Sequence, residues 1–130
     1  MSEDRIYWHI PQRVVMMKAA RDASIDVARA DSTFVNNLLA TGKPPVHLIV
    51  DTSNVGMMPA DMEMTEEILA LFASVHLGHT VVIGFRQQDM SVVQSAADAI
   101  SHVTGKPIEF ANSIAQALEI FKQNDPTLDA

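Results

Sequence analysis

The sequence predicts an α/β fold: one layered domain of order ββαβαβαβα, with a mostly parallel sheet and one antiparallel strand at its N-terminal side. Three observations predict it. Short runs of branched apolar residues alternate with segments of helical period from residue 46 onward. The runs Val46–Val50 and Thr80–Phe85 carry no charged residue apart from a neutral histidine, as strands covered on both faces do. Only Pro11 and Gln12 separate the first two strand-like runs, too short a link for a parallel crossover, so that pair is antiparallel.

The elements follow in order. Ile6, Trp8 and Ile10 alternate with Tyr7 and His9, a strand that Pro11 stops. The apolar run within Arg13 to Ala19 is the second strand. Ser24 has a hydroxyl suited to cap a helix from Ile25 to about Thr41, with Val27, Phe34 and Leu38 on one face and Val35 and Leu39 beside them. Asp31 falls close to that apolar stripe. Gly42 and Pro44-Pro45 end the helix. After the third strand, 51–59 is loop, and a helix from about Ala60 to Val75 places Met64, Ile68, Leu71 and Phe72 inward, with Leu77-Gly78 closing it. Thr80–Phe85 is the fourth strand. Asp89 or Ser91 caps a helix through about Val103 that ends at Gly105. Pro107–Phe110 opens with a proline and belongs at an edge. Asn112 or Ser113 caps the last helix, Ile114 to about Gln123, with Ile114, Ala117, Leu118 and Phe121 inward. Residues 124–130 read as a polar, frayed tail.

Composition narrows the function. A length of 130 residues and the absence of any linker or repeat indicate a single domain spanning 1–130. Nine basic against sixteen acidic residues give a net charge of −7, the wrong sign for a general nucleic-acid binder. Without cysteine, the chain cannot form disulfides, thiolate metal sites or a cysteine nucleophile. The acidic start is not a signal peptide, and no run reaches the length of a membrane span, so a cytoplasmic location is expected.

Chemistry-bearing residues cluster in one place. Asp51, Thr52, Ser53 and Asn54 follow a central parallel strand, and ligands of open α/β sheets bind outside such strand ends. Turn chemistry alone also explains them, because Asp and Asn bond their own backbone in turns. Met57 and Met58 follow, with Asp61 and Met62 at the helix start. Adjacent loop methionines cannot easily both be buried, and their flexible thioethers suit a partner or ligand surface. Glu63, Glu66 and Glu67 match the positive end of the helix dipole. His47 reads as a satisfied core histidine, and His76 and His79 lack helical alignment across Gly78. The sequence offers no metal-ligand pattern, phosphate-binding glycine loop or nucleophile motif, so no cofactor and no catalytic residue is assigned. A phosphoryl-accepting receiver site is excluded by position: Thr80 begins a strand and Lys106 precedes the last one.

The element order, Tyr7-Trp8, the stretch Pro44-Pro45-Val46-His47-Leu48-Ile49-Val50-Asp51 and the junction Leu77-Gly78-His79-Thr80-Val81-Val82 resemble the small bacterial SpoIIAA-like domains of the STAS-like group. The fold of that group is related to the CRAL-TRIO lipid-binding domain. The resemblance implies a non-catalytic regulatory domain with a protein partner of the anti-sigma-factor kind, acting through the loop and helix start at Asp51 to Met64. It also suggests an alternative, a carrier of a lipid-like or other apolar ligand beside the methionines, and leaves a homodimer open. In one respect the sequence departs from the group. Where regulatory members carry a phosphorylated serine, this chain reads Met57-Met58-Pro59-Ala60-Asp61, which has no hydroxyl.

Overall fold

The computed structural model describes residues 2–21, 25–54, 69–70 and 72–128. A single turn of helix, α1 (Ser2–Arg5), leads into β1 (Ile6–Ile10) and β2 (Val14–Lys18). Then come α2 (Ile25–Thr41), β3 (Val46–Asp51) and β4 (Leu77–Ile83). A 3-10 turn at Gln87–Asp89 opens α3 (Met90–Thr104), followed by β5 (Ile108–Phe110) and α4 (Ile114–Asn124).

The five strands lie in sequence order, β1-β2-β3-β4-β5. The β1–β2 pair is antiparallel and the other three pairs are parallel. The fold is therefore the α/β fold that the sequence predicts. Gln12, at a φ of 66°, makes the tight turn between β1 and β2. The Arg13 N–H closes that turn on the Ile10 carbonyl at 3.0 Å.

Strand order fixes which face each helix covers. When successive parallel strands step the same way, right-handed crossovers all fall on one side of the sheet. Val35 and Leu39 of α2 and Val93 and Ile100 of α3 accordingly pack with Val15, Leu48, Val50 and Val82, one alternate row of the sheet. The other row, Val14, Met16, Ile49, Val81 and Ile83, packs under Ala117, Phe121 and Leu128 from α4 and the segment after it. Among the described residues, those C-terminal elements are the principal cover of the second face.

Some local expectations need correction. The end of the chain is not a frayed tail from 124: Asp125 and Leu128 are buried, because the second face needs them. Ile114 is exposed and not inward, since Ala117 and Phe121 complete the contact one turn later. Gly78 does not close a helix but lies inside β4, which begins three residues earlier than its sequence suggests. Gly42 does follow α2, but its importance is close approach. A Cβ there would lie 2.6 Å from Val46 Cγ2 and 2.8 Å from the Trp8 ring. Of the predicted helix from Ala60 to Val75, residues 60–68 and 71 lie outside the described residues, as does the Ser24 cap. Leu69 and Ala70 are helical, but 72–75 are turn and irregular backbone, so the helix does not reach Val75. Phe72 is buried, as expected, and Val75 is fully exposed.

Candidate functional site

The parallel strands have two ends, and polar side chains do different work at each. At the N-terminal edge, β4 carries one more residue than β3 between Val46↔Leu77 and Leu48↔Thr80. His47 sits opposite that bulge. A bulge frees backbone groups from the ladder, and here the His79 N–H donates to His47 Nδ1 at 3.0 Å. Because Nδ1 accepts, the ring is neutral and its proton is on Nε2, which donates to Asp125 Oδ2 at 2.9 Å. The same oxygen accepts from Arg13 Nη2 at 2.6 Å, while Oδ1 takes the Thr127 N–H at 3.0 Å. Phe121 stacks on the imidazole at 4.8 Å between ring centroids. A Cβ on Gly78 would meet His47 Cε1 and Nδ1 at 2.8 Å, so the residue at the bulge must be glycine.

Electrostatics follow from this packing. Burial pushes the His47 pKa down, outweighing Asp125, and the nearby His79 and Arg13 act in the same direction. For Asp125, burial raises the pKa. The Thr127 hydroxyl and amide, His47 and Arg13 together outweigh it and hold the carboxyl at about 2. The His47–Asp125 pair resembles a catalytic dyad in composition only. Both imidazole nitrogens are already bonded within the protein, leaving no free basic nitrogen to take a substrate proton. The pair clamps the chain after α4 onto the sheet.

At the C-terminal edge, Lys18, Asp51 and Ile83 end their strands in one row. Asp51 Oδ1 accepts the Ser53 N–H at 2.9 Å, an Asx-type turn. The Thr52 hydroxyl and N–H both donate to the Ile83 carbonyl, at 2.9 and 3.0 Å. Asp51 and Thr52 are half-buried, whereas Ser53 and Asn54 are exposed. The turn chemistry anticipated for this stretch is what Asp51 and Thr52 do, while the side chains of Ser53 and Asn54 face solvent. Gly84 follows β4 at a φ of +75°, with Asp51 Oδ1 2.5 Å from where a Cβ would stand. Met57, Met58, Asp61 and Met62, the other expected site residues, lie outside the described residues.

Next to Gly84 the edge opens into a crevice of about 290 Å³. Phe85, Gln87 and Met90 line it from the β4 side, and Phe110, Asn112 and Gln116 from the β5 side. Its place follows from the topology. The chain leaves β4 toward α3 on one face and leaves β5 toward α4 on the other, so the two connections diverge. That divergence leaves a gap outside the carboxyl ends of β4 and β5, the side of the sheet on which open α/β folds hold ligands. Sequence reasoning centred on the β3 end and missed this place, because strand order and the face taken by α4 are not written in local pattern. Among the described residues, no group of three or more His, Asp or Glu is arranged to hold a metal ion. Likewise, no described helix is long and apolar enough to cross a membrane.

Comparison of the chain with protein-family models, curated proteins and solved structures finds no match.

Proposed function

We propose that this chain is a non-catalytic binding domain that engages a protein partner along the C-terminal edge of its sheet. The observation that carries this reading is the contrast between the two edges. At the N-terminal edge His47, Asp125 and Arg13 are bonded to one another and largely buried, whereas Ser53, Asn54, Gln87 and Asn112 are exposed along the opposite edge. An open edge of this kind suits a partner surface better than it suits a sequestered apolar ligand, which needs an enclosed pocket. The resemblance to anti-sigma-factor antagonists adds the class of partner, a regulatory protein. The departure at Met57 to Asp61 adds that binding is not switched by a serine there.

The test pairs wild type with Asn54→Arg, which places charge and bulk at an exposed position and leaves the Asp51 turn intact. Native mass spectrometry of material purified under mild conditions reads partners and stoichiometry together. The reading expects a stoichiometric protein partner with wild type and its loss with Asn54→Arg at unchanged thermal stability. A wild-type chain that carries no protein, or a partner retained equally by both, counts against it.

A further inference from the structure

We propose that the crevice between the ends of β4 and β5 binds a small, uncharged, planar molecule with an amide-like donor and acceptor edge. This does not rest on the partner reading, although Gln87 and Asn112 belong to the same exposed edge; the partner reading is tested at Asn54, which does not line the crevice. Four observations lead to it. The crevice stands outside the carboxyl ends of β4 and β5, where the two connections separate and leave room that packing does not fill. Its apolar wall is aromatic: Phe85 and Phe110 meet edge to face, with centroids 5.6 Å apart and planes at 81°. Met90, also in the lining, has a polarizable thioether that makes favourable contacts with rings.

The polar lining consists of carboxamides. Gln87, Asn112 and Gln116 contribute them from both sides. Gln116 Oε1 is occupied, accepting the Asn112 backbone N–H at 2.7 Å. Among the described residues the side-chain amides of Gln87 and Asn112 have no hydrogen-bond partner, and both residues are exposed. A carboxamide both donates and accepts, so a ligand with the same paired chemistry satisfies it. Among the described residues no charged side chain lines the crevice, and Arg86, next to Phe85 and Gln87 in the chain, is bound to Asp89 at 2.7 Å. The described lining thus favours a neutral ligand over an ion, whose desolvation none of these side chains repays.

Volume sets the size. About 290 Å³ is roughly twice the ~150 Å³ that accepts benzene in an apolar cavity. It lies just under the roughly 300–1,000 Å³ of sites for larger ligands. One ring, or two fused rings, with one polar substituent fits.

Nicotinamide is the probe, because it joins one planar ring to one carboxamide. Nicotinate keeps the ring and replaces the amide with a charge. Cyclohexanecarboxamide keeps the amide and loses the planar ring. Each is titrated into the 15N-labelled chain and followed by two-dimensional NMR. The proposal expects saturable shifts with nicotinamide, with a dissociation constant in the millimolar range, at the Gln87, Asn112 and Gln116 side-chain amides and the 110–113 backbone. Both comparators should bind about tenfold more weakly or worse. The double variant Gln87→Ala, Asn112→Ala alters only exposed side chains. It should keep the wild-type spectrum elsewhere and weaken nicotinamide binding by about tenfold. Absence of localised shifts with nicotinamide, equal shifts with all three compounds, or undiminished binding by the double variant overturns the proposal. Because the readout needs no protein partner, its failure leaves the partner reading untouched.

Discussion

Replacing Asp125 with alanine tests how the second face of the sheet is held. The carboxylate accepts from Arg13, His47 and Thr127, and the Thr127 hydroxyl also donates to it at 2.5 Å. In Asp125→Ala the His47 Nε2–H is left buried without an acceptor. Arg13 keeps weaker contacts to the Thr127 carbonyl at 3.1 Å and the Pro45 carbonyl at 3.5 Å. Removing one partner of a buried pair costs about 3–5 kcal/mol. Because Arg13 retains those acceptors, the lower figure applies, ~3 kcal/mol. A urea dependence of about 1–3 kcal/mol per molar turns this into a midpoint lower by roughly 1–3 M. The pH dependence supplies an independent check. Asp125 titrates at about 2 in the folded chain, below its ordinary 3.8. Its contribution is complete above pH 3.8 and is lost as pH falls toward 2. The stability gap between wild type and Asp125→Ala should therefore be the same at pH 5 and pH 4.5 and shrink at pH 3. His47, with its pKa lowered on folding, also favours the unfolded state as pH drops below 6.5. Wild-type stability should thus begin to decline in that higher window, before Asp125 titrates. Urea denaturation followed by circular dichroism across these pH values reads all three quantities. A gap below about 1 kcal/mol at pH 7, or one that does not shrink at pH 3, would refute the clamp.

Further predictions concern packing and backbone. Ile49 is fully buried under α4, so Ile49→Ala should cost about 2–5 kcal/mol by cavity formation, read as a fall in the urea midpoint. Gly84 and Gly105 share positive φ values of +75° and +70°, but only Gly84 has a neighbour in the way. Gly84→Ala should lose more stability than Gly105→Ala, which should cost about 1 kcal/mol from backbone conformation alone; equal melting shifts would contradict the steric reading. Thr80 is fully buried and its hydroxyl has no hydrogen-bond partner. Thr80→Val keeps the shape and removes the unpaired group, so it should raise stability by about 1 kcal/mol in the same assay.

Legible in the residues alone were the α/β class, the five strands in their chain order and the pairing sense of the first two. Local chemistry is enough for these. Branched uncharged runs need cover on both faces, Pro11-Gln12 is too short for a crossover, and Gly105 and Ser113 bound their helices through backbone geometry and capping. The Asp51 turn was legible for the same reason, since its hydrogen bond spans two residues. Tertiary structure alone decided the rest. Asp125 is 78 residues from His47, and nothing in a polar C-terminal segment indicates that it will be drawn under the sheet. The cause is topological: crossovers fill one face, so the other must be closed by whatever follows β5. That same divergence of connections opens the crevice beside Phe85 and Phe110. A site made by where two chain segments part company has no local signature to read, because it depends on strand order and not on the residues of either segment.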